Sequence, residues 1–148
     1  MDELIQRFYT AFNDHDGDTM AAAYAPEAHF WDPVFQDLSG TEAGAMWRML
    51  TRRADDLTVE LAEHSSNGDS GTAHWIAHYT FTQTGRKVVN DIHATFRFQD
   101  GLIAEHRDEF DFTRWARQAI GVAGLLPPVR STVRKKARAG LDEYMQKS

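Results

Sequence analysis

Residues 57–112 read LTVELAEHSSNGDSGTAHWIAHYTFTQTGRKVVNDIHATFRFQDGLIAEHRDEFDF, and this stretch decides the fold. Segments 57–66, 72–83, 86–98 and 102–112 are rich in β-branched and aromatic residues. They are separated by Asn67-Gly68, Thr84-Gly85 and Asp100-Gly101, dipeptides that suit tight turns. The pattern predicts a meander of antiparallel hairpins. With a two-residue turn at Thr84-Gly85, Tyr79 would face Asn90 and Trp75 would face Ala94 on one side of the sheet. His78 would face Asp91, and Ile76 would face His93, on the other.

Working outward, the period changes. Leu4, Ile5, Phe8, Tyr9 and Phe12 recur at helical spacing, so the chain opens on an amphipathic helix. The run Asn13 to Asp18 breaks it. A short second helix is expected over 19–24, ended by Pro26, and a short strand over 28–34. Ser39-Gly40-Thr41-Glu42 has the form of a capping box. It opens a third helix through about Arg53 that buries Ala43, Trp47 and Leu50. Helices are expected again over 113–120 and, beyond Pro127-Pro128, over 129–145. Helices first and then a meander of long strands indicate an α+β fold. Long strands in a small domain must curl, and helices closing the concave side leave a pocket. One domain over 1–148 is expected, with 113–148 a helical C-terminal extension.

The chain has 148 residues, enough for one core, and 42% of them are hydrophobic. It has no cysteine, which excludes disulfides and thiolate chemistry. No apolar run reaches the roughly 20 residues that span a bilayer, and the acidic start does not suit a signal peptide. A cytoplasmic location away from membranes is the expectation. The net charge is −6, and the segment from Arg130 onward carries six cations against two anions, leaving −10 on the rest. So acidic a body repels phosphate, and nucleic acid is not an expected partner.

Several motifs resemble a known superfamily. Ile5-Gln6-Arg7-Phe8, Ala11-Phe12-Asn13, Tyr24-Ala25, Phe30-Trp31-Asp32-Pro33 and Ser39-Gly40-Thr41 resemble the N-terminal half of ketosteroid isomerases. The run from Phe96 to Ile103, and that from His106 to Phe112, look like limonene epoxide hydrolases and SnoaL-type polyketide cyclases. The resemblance covers about residues 4–115. It implies the cone-shaped fold of the nuclear transport factor 2-like superfamily, with N-terminal helices packed on a strongly curved, mainly antiparallel sheet. It also implies a homodimer through the outer sheet face. Asp32 matches the isomerase general base. Phe8 stands where those enzymes have a tyrosine, with Tyr9 one residue away, and Ala94 where they have a protonated aspartic acid. Asp108 matches an acidic residue of the epoxide hydrolases, whose arginine and second aspartate would fall near Trp75 and Ala77. It also matches the acid/base of the cyclases.

The residues carry their own chemistry. Alternation along 103–110 puts Ile103, Glu105, Arg107 and Glu109 on one face and Ala104, His106, Asp108 and Phe110 on the other. An imidazole and a carboxylate two residues apart among apolar groups could move protons near neutral pH. They could equally be a buried pair that fixes strand geometry. Asp32 either closes a local turn before Pro33 or projects into the pocket. If both carboxylates reach the pocket, they can divide acid and base roles. Phe8, Tyr9, Phe12, Trp47, Trp75, Tyr79 and Phe110 are the expected walls. His74, His78, Asp91 and His93 share the opposite sheet face. They are metal-ligand types, but a polar dimer interface is the expected use of that face, and no metal is expected. The last helix carries a stripe of Val129, Val133, Ala137 and Leu141 and is expected to pack on the acidic body, with closing the pocket or reaching a second subunit as the alternatives.

The expected function is a cofactor-independent enzyme acting on a small hydrophobic molecule by proton transfer, of isomerase, cyclase or hydrolase type. Asp108, His106 and Asp32 would be its catalytic groups. The alternative is a non-catalytic binding protein of the same fold. The absent isomerase tyrosine and hydrolase arginine favour the binder, and the His106/Asp108 pair favours the enzyme.

Overall fold

The computed structural model describes residues 1–126 and 128–147; Pro127, read above as part of the break before the last helix, and Ser148 lie outside the described residues. In chain order the elements are α1 (Asp2–Asn13), α2 (Gly17–Ala22), β1 (Tyr24–Trp31), β2 (Leu38–Ser39), α3 (Gly40–Arg53), β3 (Thr58–Asn67), β4 (Ser70–Phe81), β5 (Arg86–Gln99), β6 (Leu102–Glu109), α4 (Phe112–Ile120) and α5 (Val129–Lys147). The fold is α+β. The six strands form one mixed sheet in the order β2-β1-β6-β5-β4-β3, in which only β1 and β6 run parallel.

The helices form where the sequence dictates. In α1 the apolar stripe Leu4, Ile5, Phe8, Tyr9 and Phe12 is buried. The capping box closes at both ends: the Glu42 amide donates to the Ser39 hydroxyl, and the Ser39 amide donates to the Glu42 carboxylate. Buried apolar residues from α1, α2, α3 and the inner faces of the strands make one core, which Leu141 of α5 also joins. Among the described residues no helix is long and apolar enough to cross a membrane.

The structure corrects several boundaries. The second helix ends at Ala22, and residues 24–31 form β1, so Tyr24 belongs to a strand and not to a helix. Pro26 sits in the irregular stretch of β1, where the pairing with β6 slips, a place where its missing N–H costs no ladder bond. The β4–β5 connection holds four residues, 82–85, not two. The Phe81 carbonyl accepts from the amides of both Thr84 and Gly85, and Gly85 takes φ +74°, so the turn takes in two more residues, both from the β4 side. The Thr84 hydroxyl is tied to the Ala119 carbonyl and the Arg86 guanidinium to the Gln118 carbonyl, which anchors the loop on α4. The register moves by two residues. Tyr79 faces Val88, Ala77 faces Asn90, Trp75 faces Ile92 and His74 faces His93. A shift of two keeps every side chain on its face.

In β6 the simple alternation fails at one point. Ile103 pairs with Phe98 and Glu105 with Arg97, so Ala104 is the extra residue of a bulge. Ile103 is thereby turned into the core, while His106 and Asp108 keep the inward face predicted for them. Strand β6 ends at Glu109, because the Asp111 carboxylate accepts from the Arg114 amide and caps α4.

Candidate active site

The inward faces of β4, β5 and β6, together with α3, α4 and α5, surround a cavity of about 800 Å³. Its walls are mostly apolar and aromatic: Phe12, Trp47, Trp75, Tyr79, Phe110 and Trp115 all contribute. Few polar side chains reach it from buried positions, namely Asp32, Asp108 and Asn90, and the half-buried Tyr79 adds a hydroxyl. Such a pocket suits a small, mainly apolar molecule oriented by a few polar contacts.

Asp32 follows the last residue of β1. Its Oδ1 accepts from the amides of Val34, at 2.8 Å, and Phe35, at 2.6 Å, so the local turn expected of an Asp before Pro is formed. The same carboxyl lines the cavity. The two expectations for Asp32 are therefore compatible: its Oδ1 holds the turn while the carboxyl stands on the cavity wall. Burial pushes the Asp32 carboxyl up to about 7, the charge of Asp108 adds to the rise, and the backbone donors only partly oppose it.

Asp108 sits at the end of a buried hydrogen-bonded chain. The Trp47 indole N–H donates to the Tyr24 hydroxyl at 2.7 Å, Tyr24 lies 2.7 Å from His106 Nδ1, and His106 Nε2 lies 2.9 Å from Asp108 Oδ1. Because Tyr24 already accepts from Trp47, its own O–H is free to donate to His106 Nδ1. The ring proton then sits on Nε2 and is donated to Asp108. This tautomer satisfies every group in the chain. The Trp75 indole adds a longer bond to the same carboxylate oxygen, at 3.4 Å. Burial holds the Tyr24 hydroxyl well above its usual range, so it acts as a neutral donor.

Phe8, Phe30 and Phe96 close around the imidazole, with ring centroids 5.8, 5.0 and 4.4 Å from it. His106 is therefore enclosed behind Asp108 and does not line the cavity. It orients the carboxylate and can exchange a proton with it, but substrate contact falls to Asp108. Phe8 and Tyr9, expected as walls, also stand back from the cavity. Phe8 packs on His106, and Tyr9 lies tilted against Trp75 with ring centroids 5.6 Å apart, its hydroxyl buried and without a hydrogen-bond partner among the described residues. Phe12, Trp47, Trp75, Tyr79 and Phe110 line it as expected.

Three features are not read from the sequence. The sequence pattern assigns Tyr24 to a helix end, which hides its partnership with His106. Asn90 is an amide among the buried positions Val88, Ile92, Ala94, Phe96 and Phe98 of β5. That break in an apolar alternation was a readable signal of a pocket polar group. The Tyr79 hydroxyl accepts from the Trp115 indole at 2.7 Å. Burial raises it to about 12, so it enters the cavity as a neutral donor. Of the readings open for α5, closing the pocket is the one the geometry favours: Val129, Thr132, Val133, Lys136, Ala137 and Gly140 form part of the cavity wall. Arg134 donates to the Pro33 carbonyl at 3.0 Å, Arg138 pairs with Glu42 and Asp142, and Arg52 donates to the Tyr144 hydroxyl at 2.6 Å. The basic residues of the helix thus fasten it over the pocket.

The architecture has solved counterparts. A hypothetical protein with a ketosteroid isomerase-like fold from Catenulispora acidiphila, determined with trimethylamine, is 14% identical over 84% of this chain and 98% of its own, with a TM-score of 0.71. IdmH from Streptomyces antibioticus, a proposed polyketide cyclase, is 22% identical over 79% of this chain and 96% of its own, with a TM-score of 0.65. A limonene epoxide hydrolase-like enzyme from Mycobacterium tuberculosis is 19% identical over 85% and 94%, with a TM-score of 0.66. No curated protein matches the sequence. The profile of the SnoaL-like domain matches residues 5–106, which contain the whole meander through His106, and so the chain belongs to the SnoaL-like family.

Proposed function

We propose that the protein is a cofactor-independent enzyme that moves protons on a small, mainly apolar carbonyl compound, in an isomerisation, a cyclisation or an addition of water. The observation that carries this reading is the pair of buried carboxylates on the wall of one apolar cavity, with Asp32 raised to about 7. Two carboxyl groups set apart by their environments can serve as acid and base at neutral pH. Asp108 is the base. It takes a proton from carbon next to the carbonyl, while the His106 N–H steadies its other lone pairs. Asp32, about half protonated at pH 7, gives a proton to the developing oxyanion or to a second carbon. Tyr79 and Asn90 are neutral hydrogen-bonding groups in the same cavity and can fix the carbonyl. The polyketide cyclase and epoxide hydrolase descriptions of structural neighbours agree with this class of chemistry.

The test follows proton transfer itself, so it does not need the physiological substrate. Wild-type protein is incubated in D₂O with a panel of cyclic ketones and 1,3-diketones of one to three rings, and deuterium at the α-carbon is read by mass spectrometry. Protein-dependent exchange that Asp108→Asn removes supports the reading. The second reading, a binding protein without turnover, draws support from Asp32 being tied into its turn by two backbone amides. It predicts tight binding of panel members with no exchange above buffer.

A further inference from the structure

We propose that His74, Asp91 and His93 form a divalent-cation site of the zinc type on the outer face of the sheet, separate from the cavity. The backbone builds it. His74 on β4 lies directly opposite His93 on β5, and Asp91 is two residues from His93, on the same face. The two imidazole rings stack with centroids 4.4 Å apart and planes 9° from parallel. Both Nε2 atoms turn toward one carboxylate oxygen: Asp91 Oδ1 is 2.7 Å from His74 and 3.7 Å from His93. The pairing anticipated from sequence, His78 with Asp91, is replaced by this one because of the two-residue register shift.

The three ligand atoms lie within 4.8 Å of one another. Metal–ligand bonds of about 2.0–2.2 Å in a tetrahedron place neighbouring ligand atoms about 3.4 Å apart. The His93 contact is already near that spacing, and the His74 contact needs to open by less than about 1 Å, which side-chain rotation supplies. A simple ion pair would use one imidazole. It leaves unexplained why a second ring stacks on the first with its nitrogen aimed at the same oxygen. Two imidazoles that bind through their neutral lone pairs avoid placing two positive charges in one stack.

The surroundings also favour a cation. The same row across the sheet continues to Glu63 opposite His74 and to Glu109 opposite His93, both exposed. Arg107 holds Glu109 at 2.9 Å and is the cation in direct contact with the group. With Asp91, three carboxylates stand against one guanidinium, and the local field attracts positive charge. Two imidazole nitrogens and a single carboxylate suit zinc better than calcium or magnesium, which take oxygen-rich sets. His93 is 70% exposed at its side chain, which leaves a fourth position open to water, or to a second copy if chains associate through this face.

The experiment uses the full chain without a histidine tag, stripped with a chelator. It is titrated with Zn²⁺ by calorimetry and with Co²⁺ by visible absorption. The expected result is saturable Zn²⁺ binding at no more than one ion per chain, and Co²⁺ bands of low-coordinate intensity. His93→Ala and the shape-preserving Asp91→Asn should each weaken binding by more than the roughly 10–100-fold that losing a mere supporting partner costs. His78→Ala, on the same face but outside the cluster, should leave it unchanged. Circular dichroism confirms that each variant is folded. Absence of saturable binding, binding that survives His93→Ala and Asp91→Asn, or equal loss in His78→Ala would overturn the assignment.

Discussion

Replacing Asp32 by Asn should make the protein more stable at alkaline pH and leave it nearly unchanged at acid pH. The amide keeps a carbonyl oxygen that accepts from Val34 and Phe35, so the turn survives, but it has no proton to lose. In the wild type the Asp32 carboxyl is raised from 3.8 to about 7 by burial. A folded-state value above the unfolded one means that the native state holds the proton more tightly. The associated stability is fully present below about pH 4 and is lost as pH rises through 7. Each unit of difference is worth about 1.4 kcal/mol. The gap of roughly three units sets a ceiling of about 4 kcal/mol on the stability lost between pH 4 and pH 8. Urea unfolding followed by tryptophan fluorescence at half-unit steps reads this directly. The stability of Asp32→Asn relative to wild type should climb by several kcal/mol over that window, most steeply between pH 5 and 7. Asp32→Ala is the control: it loses both backbone bonds and should carry a further penalty of about 1–3 kcal/mol at every pH. Parallel pH profiles for wild type and Asp32→Asn would refute the claim that this carboxyl is buried with a raised affinity for its proton.

Other consequences are as specific. Asp108→Asn should lower turnover by roughly 10²–10⁴, the usual contribution of a general acid or base, with binding of a competitive ligand retained; His106→Ala should cost less, because it acts through Asp108. Tyr24→Phe should destabilise by about 1–3 kcal/mol, since it strips partners from both the buried Trp47 N–H and His106 Nδ1, and chemical denaturation measures it. Leu141→Ala should cost about 2–5 kcal/mol and loosen α5 from the cavity, seen as faster amide exchange over 129–147. A homodimer through the outer sheet face should appear in light scattering at micromolar concentration, and a monomer there would remove that proposal.

Much of the fold is legible because its signals are local. Turn dipeptides, a capping box and two clean periodicities identify nearly every element. The errors arise where tertiary contacts outweigh local preference. The Thr84-Gly85 turn is deepened by contacts with α4, which no nearby residue announces. The Ala104 bulge turns Ile103 inward because an isoleucine gains more from burial than strict alternation would allow it. Asp32, Asp108 and the walls Phe12, Trp47, Trp75, Tyr79 and Phe110 could be read from alternation and resemblance. The standing of His106 could not, because alternation gives a face but not a depth. Its place behind Asp108 depends on Tyr24 and Trp47, 82 residues and 59 residues away along the chain. The choice among roles for α5 stays open in the sequence for the same reason: its basic residues look like a solvated surface until their carboxylate and carbonyl partners are known.

The most direct test of the site is a carboxyl ¹³C NMR titration of the aspartates in wild type and Asp108→Asn. One cavity containing two interacting carboxyls predicts an Asp32 signal with a midpoint near 7 in wild type. The midpoint should fall in Asp108→Asn, because a like charge has been removed while burial remains. An Asp32 midpoint near 3.8 in both proteins, or one that ignores the change at position 108, would contradict the account.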